Sequence, residues 1–336
     1  MKIAFILCPD AIISGNSNGI KNQALSWQKG LEKQNHKVVQ TNVWGNYDWK
    51  SFDVIHIFGT GLWLYGFVKN LRTKNDNIVI SPIIDSLQSK LAYKISTFIG
   101  FKKLRLWSPS YTLRKTLPMV KNVYVRSTYE AEFFTKSMGL SKDKLKTIFL
   151  NYDNDVCKNI KGKVDTENFC LHISSIYQPR KNVLRLIKAA KKYKFQLVLA
   201  GAKGTPEQFK PLKDEIGTSK NIEVLGFVTQ EKMIELFKRA KVFALPSICE
   251  GVGIVALNAA YHGCEILITE VGGPKEYFSP FATLINPLSV DEIGQGVVKL
   301  LGKSRDNKLE EFIKANNSID VTTMKLEKTY SELIHN

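Results

Sequence analysis

The stretch FALPSICEGVGIVALNAAYHG, residues 243–263, decides the fold class of this chain. An apolar, strand-like run is followed by a loop with one acid and two glycines, and then by a helix-forming run. The unpaired N–H groups at the start of such a helix attract phosphate, and glycines let the backbone approach a ligand closely. The acid, Glu250, suits sugar hydroxyls better than phosphate. An ordinary strand–loop–helix turn with a solvated Glu stays open as the alternative.

The same residues resemble the signature of retaining nucleotide-sugar glycosyltransferases with the GT-B fold (glycosyltransferase group 1, family 4-like). In that family one Glu contacts the donor sugar, and a second Glu further along contacts the ribose. The resemblance implies that Glu250 contacts the sugar and that Asn258 stands in the ribose position. The amide of Asn258 can donate to and accept from a ribose hydroxyl, but it carries no charge.

The segment LHISSIYQPRKNVLRLIKAA, residues 171–190, resembles the family's first strand of the C-terminal domain followed by its diphosphate-binding Lys. That residue is Lys181. The family usually has an Arg six residues earlier, where this chain has Ser175, and Arg180 is expected to supply the missing charge. A fixed cation matters because glycosyl transfer builds negative charge on the departing diphosphate. The alternative is a solvated helix start.

The resemblance also predicts the remaining site residues. In the family, a glycine loop before the first helix contacts the donor phosphates, and the backbone at the end of a later strand holds the base. The predicted donor-binding residues are therefore Asn18, Gly19, Gly226, Phe227, Gly251, Gly253, Ile254, Val255 and Asn258. The predicted catalytic residues are Lys181, Glu250, Arg180 and Asp85. Asp85 does not match the family, whose members commonly carry a His close to the reacting sugar in that neighbourhood. Asp85 is expected to orient an acceptor hydroxyl, although Asp is equally favoured as a helix cap.

Buried strand-like runs alternate with helical runs in both halves of the chain. In the first half they are KIAFIL, DVIHIFG and NIVISPI, and in the second half QLVLAG and NIEVLGFV. This alternation predicts parallel sheets covered by helices on both faces. The predicted fold class is α/β, with two Rossmann-like domains facing each other across a cleft (GT-B). His56, in the second of these runs, is interpreted first as a satisfied core residue.

The length of 336 residues suits two domains rather than one core. The predicted domains are an acceptor-binding domain at 1–160, a nucleotide-sugar domain at 161–320 and a helix at 321–336 that crosses back to the first. Five scattered cysteines argue for reduced thiols and against a disulfide scaffold or zinc site. No cofactor or metal is expected. Without an evident signal peptide or membrane span, the sequence predicts a cytoplasmic protein.

The charge of the chain is strongly positive and unevenly shared. Residues 1–165 hold 25 Lys/Arg and 12 Asp/Glu, which gives +13, and residues 166–336 hold 23 and 19, which gives +4 of the total +17. Basic and aromatic side chains interleave in residues 89–117, a pattern typical of contact with an anionic membrane. We expect a peripheral location on the inner face of the cell membrane; the alternative is a merely solvated surface. No nucleic-acid module is recognisable.

The predicted function is a retaining, metal-independent glycosyltransferase in bacterial surface polysaccharide synthesis. It would move a sugar from a UDP- or GDP-linked donor to a glycan or lipid-linked acceptor. Two alternatives remain: a sugar-nucleotide epimerase of the same fold, or a non-catalytic subunit that stabilises a partner transferase.

Overall fold

The computed structural model describes residues 1–9, 11, 19–42, 45–84, 90–101, 106–153, 155–157 and 166–335. The chain divides into two compact units. The N-terminal unit contains Met1–Leu150 together with Ile319–Asn336, and the C-terminal unit contains Asn151–Ser318. Among the described residues, no helix is both long and apolar enough to span a bilayer.

The N-terminal unit is built on a six-stranded parallel sheet. Its described strands, with a short antiparallel pair β5–β6, are β1 (Lys2–Leu7), β2 (Lys37–Gln40), β3 (Val54–Phe58), β4 (Ile78–Ser81), β5 (Gly100–Phe101), β6 (Leu106–Trp107), β7 (Asn122–Val125) and β8 (Leu145–Thr147). The order in the large sheet is β2-β1-β3-β4-β7-β8. The order reverses between β1 and β3, as in flavodoxin-like sheets.

Helices cover this sheet. They are α1 (Gly19–Lys33), α2 (Leu64–Leu71), α3 (Lys90–Ser96), α4 (Pro109–Thr116), α5 (Thr128–Met138) and, from the end of the chain, α13 (Ile319–His335). Helix α13 packs on α1, where Thr323 lies against Gly30 so closely that a Cβ at Gly30 would be 2.4 Å from the Thr323 methyl carbon. Lys33 also pairs with Asp320, at 2.8 Å between Nζ and Oδ2.

The C-terminal unit has a second six-stranded parallel sheet. Its strands are β9 (Glu167–Ile173), β10 (Leu197–Ala200), β11 (Ile222–Gly226), β12 (Ala240–Leu245), β13 (Glu265–Thr269) and β14 (Thr283–Ile285). Their order is β11-β10-β9-β12-β13-β14, which is a doubly wound arrangement. The prediction of two Rossmann-like parallel sheets is confirmed.

The helices of the C-terminal unit follow the strands in alternation. They are α6 (Val183–Tyr193), α7 (Pro206–Ile216), α8 (Gln230–Arg239), α9 (Ile254–Tyr261), α10 (Pro274–Phe278), α11 (Val290–Gly302) and α12 (Lys308–Asn316). The central strands are apolar on both faces because helices cover both sides of the sheet. Strand β13 is buried at each of its positions, which fits this arrangement.

Candidate functional site

The two motifs singled out in the sequence follow neighbouring strands of the second sheet. Strand β9 leads to the turn that contains Lys181, and β12 leads to the loop that contains Glu250. These strands pair directly, and the order of the sheet reverses between them. The carboxyl ends of parallel strands at such a reversal leave a crevice, which is where ligands bind in open α/β sheets. Topology alone therefore brings the two motifs together.

The turn after β9 is fixed by Asn182. Pro179–Lys181 form one 3-10 turn, and Asn182 then adopts a left-handed backbone with φ of 59°. Its buried side chain donates from Nδ2 to the carbonyl oxygens of Pro246 at 2.8 Å and Pro287 at 2.6 Å. Asn tolerates this conformation better than most residues. The turn is thereby attached to the start of the loop after β12.

The backbone of Glu250 is held by the segment after β13. Its N–H donates to the carbonyl of Val271 at 3.1 Å, and its carbonyl accepts from the N–H of Gly273 at 3.1 Å. Gly272, with φ of 113°, allows this close approach. A Cβ there would lie 1.9 Å from the Glu250 carbonyl oxygen.

Three side chains surround the carboxylate of Glu250. Lys181 Nζ lies 2.8 Å from Oε2 and the hydroxyl of Ser247 donates to the same oxygen at 3.0 Å. Arg180 Nη1 lies 3.6 Å from Oε1 and donates to the carbonyl of Cys249 at 2.9 Å. The Glu250 side chain is only 9% exposed. The site therefore holds two cations and one carboxylate, a net positive charge at the carboxyl-terminal ends of the central strands β9 and β12.

Backbone N–H groups without a described backbone acceptor lie three residues after Glu250. Gly253 adopts a left-handed backbone, with φ of 86°, and α9 begins at Ile254 without a side-chain cap. No described carbonyl accepts a hydrogen bond from the N–H groups of Gly253, Ile254 or Val255. Helix starts leave such groups unpaired, and together with the helix dipole they favour an anion. The predicted phosphate-binding amides are thus available.

A neutral histidine lies in the same part of the unit. His172, on β9, is fully buried between the carbonyl of Ala244 (2.7 Å from Nδ1) and the hydroxyl of Ser174 (2.7 Å from Nε2). Burial lowers the pKa of His172 to about 4, the hydrogen bond with Ala244 opposes this, and the charge of Lys181 adds to the lowering. The ring is therefore uncharged near neutral pH and adds nothing to the charge of the site.

Comparison with known proteins shows which family this site belongs to. The family described as glycosyl transferases group 1 matches residues 153–318, which is almost all of the C-terminal unit. Residues 153–318 belong to that family. An uncharacterized glycosyltransferase of Methanocaldococcus jannaschii is 30% identical over 167 residues, 48% of this chain and 42% of the relative. The O-antigen chain mannosyltransferase B of Escherichia coli is 26% identical over 148 residues, 42% of this chain and 39% of the relative.

A solved structure covers the whole chain. HepE of Anabaena, in complex with UDP, has a TM-score of 0.73 and 16% identity, covering 99% of this chain and 100% of its own. At this identity the likeness concerns the fold alone, and the fold is GT-B. The predicted fold is confirmed, and membership of the glycosyltransferase family is confirmed for residues 153–318. The chain spans less than half the length of the two curated relatives.

In this glycosyltransferase fold, the predicted base-binding residues lie at the carboxyl-terminal ends of the strands, as the charged cluster does. Gly226 ends β11, and its carbonyl accepts from the N–H of Gly201, after β10, at 2.7 Å. Ser174, after β9, donates in turn from its N–H to the carbonyl of Ala200 at 3.2 Å. Phe227 is 87% exposed, so its ring is accessible to a planar ligand.

Asn258, at the family's second Glu position, has a protein partner. Its Oδ1 accepts from the backbone N–H of Asp153 at 2.8 Å, and the side chain is buried. A Glu would place a carboxylate toward the segment that carries Asp153. The Asn therefore joins the first residues of the C-terminal unit to α9, a role the sequence did not reveal.

The remaining predicted residues belong to the N-terminal unit. Gly19 is exposed and begins α1, whereas Asn18 and Asp85 lie outside the described residues. His56 is a core residue: it is buried, with Nε2 2.8 Å from the Ser81 hydroxyl and Nδ1 bonded to the Tyr330 hydroxyl. Burial lowers its pKa well below the usual value.

The loop after β4 is backed by a buried ion pair. Arg126 and Glu130 pair at 2.9 Å between Nη2 and Oε1, and Glu130 Oε1 also accepts from the N–H of Ile84 at 3.1 Å. Ser127 caps α5 by accepting from the N–H of Glu130. Ile83, beside this anchor, has a φ of 56°, which is rare and strained for a β-branched residue. This strain was not predicted from the sequence.

Three residues that support the charged cluster were not predicted from the sequence: Ser247, Asn182 and Gly272. The position of Ser247, two residues after a buried strand, was a usable signal. No group of three or more potential metal ligands occurs among the described residues. All five cysteines are free thiols.

Proposed function

We propose that the chain is a retaining, metal-independent glycosyltransferase that uses a nucleotide-activated sugar. The observation that carries the proposal is the convergence of Lys181, Arg180 and Glu250 where the strand order of the second sheet reverses. Two cations and the open amides of α9 suit a diphosphate, and one carboxylate suits a sugar. The family match and the UDP complex of HepE support the same reading.

The leaving group is the diphosphate. Lys181 and Arg180 neutralise the charge that develops on it, and the N–H groups of Gly253, Ile254 and Val255 donate to its oxygens. Such preorganised donors act strongly in a site shielded from water, and loss of one typically lowers turnover about 10²–10³-fold. Two protein cations take over the charge neutralisation that a divalent ion performs in metal-dependent enzymes.

Transfer follows from this arrangement. The acceptor hydroxyl oxygen forms a bond to the anomeric carbon on the face from which the diphosphate departs. The bond between that carbon and the phosphate oxygen breaks with its electron pair staying on the phosphate. The departing oxygen takes the proton of the acceptor hydroxyl, so the anomeric configuration is retained and no enzyme nucleophile is needed.

The rest of the donor is held by side chains around the cluster. Glu250 accepts from sugar hydroxyls, and Phe227 with Gly226 receives the base. Asn258 remains the proposed ribose contact, made alongside its bond to the Asp153 amide. Gly19 and Asn18 help to bind the donor phosphates, and Asp85 orients the acceptor hydroxyl.

The acceptor is a glycan or a lipid-linked glycan, and the enzyme works at the inner face of the cell membrane. The name of the Escherichia coli relative, an O-antigen chain mannosyltransferase, supports a role in surface polysaccharide synthesis. The excess of 13 positive charges in residues 1–165 supports a location beside anionic lipid.

A donor screen tests the proposal. Thermal unfolding is measured with UDP-, GDP- and ADP-sugars, mannosyl donors included, and the stabilising donor is then supplied with acceptor glycans. We expect slow hydrolysis without acceptor, transfer with acceptor, a product of retained configuration by NMR, and full activity in EDTA. Inverted product or loss of activity in EDTA overturns the mechanism.

The same screen separates the two alternatives. An epimerase converts the free donor into its epimer without any acceptor. A non-catalytic subunit binds no nucleotide by calorimetry. Either result replaces the proposed function.

A further inference from the structure

An apolar patch lies exposed on the N-terminal unit, on α3 and the turn that follows it. Its members are Leu91, Ile95, Phe98 and Ile99, which are 68%, 59%, 56% and 62% exposed. They form four of the seven large apolar side chains recorded as exposed in the described part of this unit; the others are Leu62, Tyr129 and Met324. Single exposed apolar residues are ordinary, but a contiguous group marks an interaction surface.

The packing of α3 explains why these side chains point away from the core. Tyr93 contacts the ring of Phe133, with centroids 4.7 Å apart, and Thr97 is fully buried. Leu91 and Ile95 are four residues apart and lie on another side of the helix, and Phe98 and Ile99 lie in the turn that follows it. The helix thus packs one side against the unit and leaves Leu91 and Ile95 largely exposed.

Cations surround the patch. The guanidinium carbon of Arg114 lies 3.4 Å from the centroid of the Phe98 ring, and Lys94 is exposed on α3. Lys90 pairs with Glu132 at 3.3 Å. In the sequence, no Asp or Glu occurs from Ser86 to Tyr129, whereas that stretch contains nine Lys/Arg. Apolar side chains ringed by cations complement an anionic lipid surface, which offers acyl chains beneath negative headgroups.

We infer that the apolar patch inserts at the headgroup boundary of an anionic bilayer and that Lys94 and Arg114 contact lipid phosphates. This rests on the proposed inner-face location and names the surface responsible. A bilayer requires only an apolar group within reach and positive charge around it. Helix α3 and the turn that follows it meet that requirement, with four exposed apolar side chains beside Lys94 and Arg114.

Vesicle co-sedimentation tests the surface. Wild-type protein is mixed with vesicles of equal parts phosphatidylglycerol and phosphatidylcholine, or of phosphatidylcholine alone. We expect binding to the anionic vesicles that weakens with salt, and much weaker binding to the neutral ones. Ile95→Asp and Phe98→Asp should each lower the partition coefficient at least about tenfold, because each replaces an apolar side chain that inserts into the bilayer with a charged one. Lys94→Ala should lower it about fivefold.

Met324→Asp is the matched control. Met324 is 57% exposed on α13 of the same unit, outside the patch, so this variant should bind vesicles like wild type. Each variant is also tested for nucleotide binding, which should be unchanged and shows that the protein is folded. If Ile95→Asp and Phe98→Asp have the same partition coefficient onto anionic vesicles as wild type, the apolar patch is not the lipid-binding surface.

The outcomes separate the surface from the proposals on which it rests. If wild-type protein does not bind anionic vesicles, both the proposed membrane location and the proposed lipid-binding surface are wrong. If wild type binds and both patch variants bind equally well, the location stands and the surface alone fails. If wild type captures a protein partner that the patch variants lose, while vesicle binding is absent, the surface belongs to that partner and not to lipid.

Discussion

The ammonium of Lys181 lies 2.8 Å from a carboxylate oxygen of Glu250, within a cluster that is largely shielded from water. The cation expected to hold the donor diphosphate is therefore paired with the carboxylate expected to hold the donor sugar. A diphosphate at Lys181 would bring negative charge close to Glu250. Like charges about 4 Å apart near a protein surface repel by roughly 4 kcal/mol, so donor binding has to loosen this pair.

Glu250→Gln should therefore tighten the binding of a nucleoside diphosphate that carries no sugar. The amide keeps the shape of the side chain but no longer competes for Lys181. We expect the affinity for UDP or GDP to rise about tenfold, which is about 1.4 kcal/mol. Transfer to acceptor should fall about 100-fold or more, because the sugar loses its carboxylate contact. Isothermal titration calorimetry and turnover measurements check the two effects.

Glu207→Gln is the matched control, since Glu207 is an exposed residue in the first turn of α7. It should change neither quantity. Weaker nucleotide binding by Glu250→Gln would mean that Glu250 assists the diphosphate instead of competing with it.

Lys181→Ala should lower turnover far more than Asn258→Ala. Loss of the cation on the leaving group is expected to reduce turnover about 10²–10³-fold. Asn258→Ala removes the proposed ribose contact and leaves the Asp153 amide without its partner. It should cost about 1–2 kcal/mol of stability and only a few-fold in turnover. Steady-state kinetics and thermal unfolding of both variants provide the comparison.

Lys188→Ala controls for the general loss of a positive charge, because Lys188 is an exposed residue of α6. It should leave turnover unchanged. Equal losses in Lys181→Ala and Asn258→Ala would show that the diphosphate binds elsewhere.

The strands and their alternation with helices could be predicted because they depend on local patterns. Strand β1 occupies Lys2–Leu7, the bounds its apolar run indicated. Apolar runs carry that much information on their own. Lys181 and Glu250 were assigned to one site through the resemblance to the family, whereas their ion pair and the pairing of β9 with β12 were not predicted.

The partners of individual side chains could not be predicted in the same way. Asn258 bonds to a backbone amide 105 residues away, and no local pattern encodes such a contact. Gly272 supports Glu250 through a close backbone approach that only the folded loop creates. The outward side of α3 was equally hidden, because basic and apolar residues alternate there without showing which side the core covers.

Stability should fall as the pH drops below about 6.5, and His172 should account for part of the loss. Burial lowers the pKa of His172 to about 4 in the folded protein, from 6.5 in the unfolded chain. Between these values the unfolded state binds a proton that the folded state does not. The contribution of His172 to the free energy of unfolding is therefore fully present above pH 6.5. It falls by about 3 kcal/mol as the pH decreases toward 4.

Urea unfolding at pH 7 and pH 4.5 checks this, with His172→Gln as the non-titrating variant. The variant should be less stable at pH 7 but should lose less stability on acidification than wild type. His56, whose pKa is also lowered by burial, contributes to the loss that both proteins share. An identical change in both proteins would show that His172 titrates alike in the folded and unfolded states.

Tyr330→Phe should loosen α13 within the N-terminal unit and leave the donor site unaffected. The Tyr330 hydroxyl is the described partner of His56 Nδ1, and both side chains are fully buried. Removing the hydroxyl leaves a buried polar atom unpaired, which typically costs about 1–3 kcal/mol. Hydrogen exchange read by mass spectrometry should therefore accelerate in residues 319–335, while residues 166–318 exchange as in wild type and nucleotide binding stays constant.

Tyr65→Phe, at a partly exposed tyrosine of the same unit, should change the exchange of neither region. If residues 319–335 exchange at the wild-type rate in Tyr330→Phe, the attachment of α13 depends on its apolar contacts and its ion pair with Lys33 and not on His56.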